Sequence, residues 1–234
     1  MVAADSGSDA NWLADGKRVA YDGFIHVGDD ETGRDAPSVF IAEDKVVPRL
    51  VAADACLEAA VPGADGASDL LFVSKKSPGG ISLAVVESSG YAEPTRLAGP
   101  LSNPHFGVSP DGQRIAAAHQ EADAGRVSMV VVRERRSGNQ VGAMRVRDPN
   151  VYLRWSPDGK DLMCIGNSGT WVWRPTTGAV RAEVLPTHSR DDRMEATWMP
   201  DGRRLLFWQG SRVYLHRCGT PDSELLLDLD GLGL

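Results

Sequence analysis

The sequence predicts an all-β protein, a β-propeller of about five four-stranded antiparallel blades. Three observations support this prediction: a turn motif that recurs at blade-sized intervals, four short apolar runs in each interval, and the near absence of helical periodicity along the 234 residues. Propeller blades carry four strands each and repeat about every 40 to 45 residues. One repeat array is therefore expected to span the chain.

The recurring turn motif is Asp-Gly followed by two polar residues and an apolar one. Four copies have the same spacing and begin at Asp15, Asp111, Asp158 and Asp201, and a longer copy begins at Asp65. Successive aspartates are 50, 46, 47 and 43 residues apart. Asp accepts hydrogen bonds from nearby backbone N–H groups, and Gly adopts the positive φ that such turns require. Five equivalent aspartates indicate a structural turn residue, because a catalytic aspartate is needed once or twice.

Each repeat contains four short runs with the composition of β-strands. The first precedes the turn, as in residues 151–155, and the second follows it, as in residues 205–208. The third runs are residues 38–41, 81–86, 127–132, 171–173 and 213–216, and the fourth are residues 46–50, 96–97, 141–146, 180–184 and 224–227. These runs are too short for helices and are mostly rich in β-branched and aromatic residues. Residues 52–60 have a helical composition, and we interpret them as an irregular start of the second repeat.

The repeats predict a single propeller domain over residues 1–234, with approximate blades at 9–53, 54–101, 102–148, 149–187 and 188–230. They cover the chain without leaving a spare strand. Either the ring closes by side-to-side packing of blades, or the repeats are part of a longer propeller. An open array would expose apolar surface and would be expected to self-associate.

The full Ser-Pro-Asp-Gly motif occurs at residues 109–112 and 156–159, and residues 199–202 keep three of its four positions. Together with the apolar third strand, this pattern resembles the TolB-like, WD-like propeller repeat found in many bacterial proteins. The resemblance covers residues 11 to about 230. The Trp-Asp and Gly-His signatures of the eukaryotic variety do not occur in the repeats, so only the architecture carries over from that relative. The resemblance implies a non-catalytic scaffold that binds a protein or peptide at its axial face.

A tryptophan stands three residues before the turn aspartate in three repeats, at Trp12, Trp155 and Trp198, and Val108 takes that position in another. We expect each tryptophan to pack against the neighbouring blade, where it can bury about 200 Å². An aromatic platform for a sugar is the alternative interpretation.

The candidate site is the axial mouth, where the inner strands and the connections between blades converge. The predicted binding residues are His105, Tyr152, Arg154, Arg193 and Glu195. A mixed polar rim of this kind suits a protein or peptide contact, and solvated loops have the same composition. A hydrolase or lyase that uses Asp191, Asp192 or Glu195 is an alternative. An accessory or gating domain of a larger protein, such as a serine peptidase of the prolyl-oligopeptidase type, is another.

Composition argues against several classes of partner and cofactor. The formal charge of −7 disfavours capture of nucleic acid or anionic lipid, and no apolar run approaches the length of a membrane span. No metal site or cofactor is predicted, because the five histidines lack ligand spacing. Cys56, Cys164 and Cys218 are too scattered for a disulfide framework, and Cys164 is expected to be a buried apolar residue. The chain as given suggests the cytoplasm, or the periplasm or exterior if a signal peptide was removed.

Overall fold

Twenty strands, arranged as five four-stranded antiparallel sheets, make up nearly all the regular structure described by the computed structural model. The structure describes residues 10–13, 15–27, 34–63, 69–88, 95–101, 104–120, 127–183 and 195–232. Within each sheet the strands are hydrogen-bonded in the order in which they occur along the chain. The five-bladed β-propeller architecture predicted from the sequence is confirmed.

The sheets, numbered I to V, use every strand in chain order. Sheet I contains β1 (Ala10–Trp12), β2 (Arg18–Val27), β3 (Arg34–Glu43) and β4 (Arg49–Ala53). Sheet II contains β5 (Ala55–Pro62), β6 (Asp69–Ser77), β7 (Gly80–Glu87) and β8 (Thr95–Leu101). Sheet III contains β9 (His105–Val108), β10 (Arg114–Gln120), β11 (Ser128–Glu134) and β12 (Gln140–Val146). Sheet IV contains β13 (Tyr152–Trp155), β14 (Leu162–Gly166), β15 (Gly169–Arg174) and β16 (Ala179–Glu183). Sheet V contains β17 (Glu195–Trp198), β18 (Arg204–Gln209), β19 (Arg212–Arg217) and β20 (Ser223–Asp228), and a 3-10 helix follows at Asp230–Leu232.

Apolar side chains from adjacent sheets form the cores. The chain divides into two compact units, up to residue 103 and from residue 104. In the N-terminal unit, Val39 and Leu71 belong to a cluster that joins sheets I and II. In the C-terminal unit, Val130 and Leu162 belong to a cluster across sheets III and IV, and Phe207 to one across sheets IV and V. The single domain and its blade limits stay predictions.

Residues 52–60 are extended rather than helical, and a register shift between Leu57 and Ala59 makes the entry to sheet II irregular, as predicted. They contribute the end of β4 and most of β5, which are separated by Asp54 in a positive-φ conformation (φ 52°). Buried and exposed residues alternate at the start of β5, with Ala55 and Leu57 buried. Small alanines satisfy this strand alternation as well as a helical one, which is why composition alone was misleading.

The predicted fourth strand of the first repeat, residues 46–50, was placed too early. Lys45 takes a positive φ of 59° in the turn after β3, and β4 begins only at Arg49. Val46 and Val47 are exposed in this connection. Their β-branched composition favoured a strand, but the turn geometry uses these positions to reverse the chain.

The Ser-Pro-Asp-Gly turn has the hydrogen bonds that its sequence predicts. In sheet IV the Ser156 hydroxyl donates to Asp158 Oδ1 at 2.7 Å, and the same carboxylate oxygen accepts the Lys160 N–H at 3.1 Å. Ser156 Oγ also accepts the Asp161 N–H at 2.9 Å, and Gly159 has a φ of 67°. Sheet III repeats this arrangement at its own Ser-Pro-Asp-Gly. The turn aspartate is therefore a structural residue here.

Where the serine is missing, the aspartate itself accepts the backbone N–H of the residue three positions later, which the serine hydroxyl accepts in sheets III and IV. In sheet I, Asp15 Oδ1 accepts the N–H groups of Lys17 and Arg18 at 2.9 and 3.0 Å, and Arg18 Nε pairs with Asp15 Oδ2 at 2.5 Å. In sheet V, Asp201 and Arg204 make the equivalent contacts. An arginine three residues after the aspartate thus replaces the serine as the second anchor of the turn.

No helix in the described ranges is long and apolar enough to cross a membrane. Cys164 is fully buried, as predicted, and burial raises the pKa of its thiol well above the ordinary range.

Candidate functional site

Three inner strands of the C-terminal unit begin at equivalent positions. His105, Tyr152 and Glu195 are the first residues of β9, β13 and β17, and each stands six residues before its turn aspartate. Because the inner strands of successive blades converge around a propeller axis, this row is part of the predicted axial mouth. The sequence therefore places three of the five predicted binding residues at one structural position.

The structure brings two of these side chains into contact. The rings of His105 and Tyr152 have centroids 4.3 Å apart and are tilted by 44°. Tyr152 is 54% exposed, whereas His105 is partly buried. Desolvation lowers the pKa of His105, so its imidazole is neutral at pH 7. The pair forms an aromatic surface that is open on the tyrosine side.

Gly107 lies where β9 and β13 approach each other closely. A Cβ built on Gly107 would stand 3.2 Å from Leu153 Cβ, which is tighter than ordinary van der Waals contact. The absence of a side chain at Gly107 lets β9 and β13 come together two residues after His105 and one residue after Tyr152. Nothing in the sequence distinguishes this glycine from the others.

Arg154 extends the site along β13. It lies two residues after Tyr152, so the two side chains leave the strand on the same side, and both are exposed. The backbone of Arg154 is fixed, because its carbonyl oxygen accepts the Trp198 indole N–H at 3.1 Å. The guanidinium is therefore carried by a rigid strand beside an exposed aromatic ring.

Two of the three recurrent tryptophans pack as predicted. Trp155 is 8% exposed and donates its indole N–H to the carbonyl of Gly107 at 3.2 Å. Trp198 is 9% exposed and makes the equivalent bond to Arg154. For Trp12 the prediction is wrong, because this side chain is 70% exposed. Its strand, β1, belongs to the first described sheet, in which no earlier sheet of the described chain covers that face.

Asp148 supports the start of β13, a role that the sequence analysis did not predict. It is 2% exposed, and its carboxylate accepts the N–H of Asn150 at 3.1 Å and that of Ser168 at 2.8 Å. Its carbonyl accepts the Ser128 hydroxyl at 2.7 Å. These bonds fix the connection from β12 to β13 and hence the position of Tyr152. The signal in the sequence was Asp-Pro-Asn directly before a strand, which is typical of a side-chain-capped turn.

The remaining predicted site residues lie in, or at the edge of, a part of the chain that the structure does not describe. Arg193, and Asp191 and Asp192 of the enzymatic alternative, lie outside the described residues, and for Glu195 the structure describes the strand position alone. In the described part of the chain, no group of three or more His, Cys, Asp or Glu side chains is arranged to hold a metal ion.

Comparisons with known proteins support the architecture. No family model and no curated protein matches the sequence. A protein assigned as TolB from Agrobacterium tumefaciens has 17% sequence identity and a TM-score of 0.62, over 93% of this chain and 79% of that one. TolB from Acinetobacter baumannii has 16% identity and a TM-score of 0.58, over 91% of this chain and 53% of that one. The chain thus spans about half the length of the second protein.

An enzyme shares the same fold. An oligogalacturonate lyase solved in complex with manganese has 10% identity and a TM-score of 0.62, over 97% of this chain and 71% of that one. Since these identities are so low, the likeness shows the fold alone. A shared fold does not determine function, which depends on the residues of the site.

Proposed function

We propose that this protein is a non-catalytic β-propeller scaffold, and that a protein or peptide segment binds at the inner-strand row of the C-terminal unit. The observation that carries the proposal is the contact between His105 and Tyr152, at 4.3 Å, with the exposed Arg154 two residues further along β13. Aromatic residues and arginine are the side chains most enriched at the energetic centres of protein interfaces.

The chemistry of the row indicates what it would bind. With a lowered pKa, His105 contributes a neutral ring, so the aromatic pair offers an apolar surface. Arg154 supplies the positive charge beside it. A segment with an aromatic, proline or aliphatic residue, followed by a carboxylate, fits this arrangement. Bidentate pairing of guanidinium with carboxylate would fix its direction.

The rigidity of the strands supports this proposal. Trp155 and Trp198 bind the backbones of Gly107 and Arg154, and Asp148 fixes the connection before β13. Side chains already held in position lose less conformational entropy on binding, which increases affinity. The TolB likeness is consistent with a scaffold role, whereas the lyase likeness shows that the fold also accommodates enzymes.

A peptide selection tests the proposal. A random twelve-residue phage-display library is selected on the wild-type protein, and binding of the selected peptides is measured by fluorescence anisotropy. We expect an apolar or aromatic residue next to an acidic one in the selected sequences. Tyr152→Ala and Arg154→Ala should each weaken binding about tenfold or more.

The matched control is Arg133→Ala, which removes an exposed arginine from β11. It should leave peptide affinity unchanged, and all three variants should melt close to the wild-type temperature. Selected peptides that bind wild type and Tyr152→Ala equally well would contradict the proposal.

A further inference from the structure

The two end sheets each present one face that no neighbouring sheet in chain order covers. In the N-terminal unit, one face of sheet I packs on sheet II through residues such as Val39, and the opposite face carries Trp12. In the C-terminal unit, sheet V packs on sheet IV through Leu205 and Phe207, and its opposite face carries Leu206 and Leu215. Leu205 and Phe207 are fully buried, whereas Leu206 and Leu215 are only partly buried.

These two faces are the two halves of an interface that the C-terminal unit already uses twice. Where two of its sheets pack together, a tryptophan three residues before the turn aspartate of one sheet donates its indole N–H to the preceding sheet. The acceptor is the backbone carbonyl of the residue four positions before the turn aspartate of that preceding sheet. Trp155 donates to Gly107, and Trp198 to Arg154. The next acceptor in this series is the carbonyl of Thr197, on the inner strand of sheet V.

Trp12 is the donor that matches this acceptor. It pairs with Val19 across β1 and β2, just as Trp155 pairs with Leu162 and Trp198 with Leu205. All three partners stand four residues after the turn aspartate. Trp12 therefore occupies the same register position, yet it is 70% exposed.

The turns repeat the same relationship at a second point. A Cβ on Gly159 would lie 3.6 Å from Pro110 Cδ in the preceding turn, and one on Gly202 would lie 3.8 Å from Pro157 Cδ. The next proline in this series is Pro200, in sheet V. The equivalent glycine is Gly16, and no heavy atom of the described residues lies within 4 Å of the point where its Cβ would stand.

We propose that these faces bind each other between copies of this chain, with the sheet I face of one copy on the sheet V face of the next. Trp12 then donates to the carbonyl of Thr197 in the second copy, and Gly16 packs against Pro200 of that copy. Such a heterologous contact produces either closed rings or extended assemblies. None of these four residues belongs to the inner-strand row, although Thr197 follows Glu195 on β17.

The first measurement is the molar mass by light scattering and sedimentation over a wide range of protein concentrations, with reductant present because Cys56 is exposed. We expect masses at multiples of 25.1 kDa that increase with concentration. Trp12→Ala should weaken the association by about 30-fold or more, as the loss of a central interface tryptophan does. Val47→Ala, which truncates an exposed apolar residue outside this face, should have no effect.

Mixing two defective variants tests the head-to-tail pairing. Trp12→Ala damages the sheet I face, and Leu206→Glu places a charge on the sheet V face, so each variant alone should be monomeric. An equimolar mixture retains one intact face of each kind and should form a dimer of twice 25.1 kDa that does not extend. A single 25.1 kDa species for wild type at every concentration, or a mixture that stays monomeric, would overturn the proposal. Circular dichroism of each variant verifies that it is folded.

Discussion

Trp198 donates its indole N–H to the carbonyl oxygen of Arg154, and this 3.1 Å bond ties the inner strand of sheet V to that of sheet IV. The same side chain packs among Ala196, Leu205 and Met163. It therefore combines an apolar contact with a directional bond to the backbone of a candidate binding residue. Trp198 thus contributes to the packing of sheets IV and V and also holds the backbone of a candidate binding residue, Arg154.

Trp198→Phe should separate these two contributions. The ring still fills most of the space, but the carbonyl of Arg154 loses its indole partner, so we expect a loss of about 1 to 2 kcal/mol in the free energy of unfolding. Trp198→Ala should cost about 3 to 5 kcal/mol, because a cavity is added. Urea denaturation measures both. Trp12→Phe, compared at a concentration where the chain is monomeric, should change little, and an equal loss there would contradict the assignment.

The sequence could predict the inner-strand row because it is defined by counting. His105, Tyr152 and Glu195 stand six residues before a turn aspartate, and strand alternation puts Arg154 on the same side as Tyr152. The 4.3 Å contact of the two rings could not be predicted in this way. The two strands also approach closely at Gly107 and Leu153, which are 46 residues apart, and only the packing of the strands reveals such contacts.

Burial was the property that the sequence predicted least well. Trp12, Trp155 and Trp198 share a position in the motif, but the exposure of each depends on which sheet lies beside it. Asp148 illustrates the converse, because its partner Ser168 is 20 residues away, beyond two strands. An Asp-Pro-Asn sequence is typical of a solvated turn, and it is equally compatible with a buried carboxylate that bridges the β12–β13 and β14–β15 connections, as Asp148 does.

Asp158→Ala tests whether the repeated turn is scaffold. The substitution removes the acceptor of the Ser156 hydroxyl and of the Lys160 N–H, so we expect the free energy of unfolding to decrease by about 1 to 2 kcal/mol. Peptide binding by the folded protein should be unchanged. A double-mutant cycle with Ser156→Ala, measured by urea denaturation, should show a coupling of about 0.5 kcal/mol or more. Unchanged stability together with lost binding would refute the scaffold role.

The turn carboxylates should also make stability depend on acid pH. Backbone N–H groups, first that of Lys17, and the Arg18 side chain lower the pKa of Asp15 to about 2, and equivalent bonds lower the pKa of Asp201. In the unfolded chain an aspartate titrates near a pKa of about 3.9. Between these values the unfolded state binds more protons, so this stabilisation is complete above about pH 5 and is lost as the pH falls towards 2.

Melting temperatures measured from pH 7 to pH 2.5 test this dependence. The difference between wild type and Asp15→Asn should be largest near pH 7 and should shrink as the pH decreases, because protonation neutralises the wild-type carboxylate. Asp44→Asn, which removes an exposed carboxylate from another turn of sheet I, is the control for the loss of one charge. A difference between wild type and Asp15→Asn that stays constant down to pH 2.5 would contradict the prediction.

Asp148 and Gly166 should be energetically coupled. Asp148→Ala leaves the N–H groups of Asn150 and Ser168 without their acceptors in a buried connection, and we expect a cost of about 2 to 4 kcal/mol. Gly166→Ala should cost about 1 to 3 kcal/mol, because the new Cβ would stand 2.8 Å from Asp148 Oδ2. Once the carboxylate is gone, the closest of these contacts is the Cβ of residue 148 at 3.1 Å, so the new Cβ is less crowded. The double variant, measured by urea denaturation, should therefore be less destabilised than the two single costs combined, and strict additivity would show that the two side chains do not compete for this space.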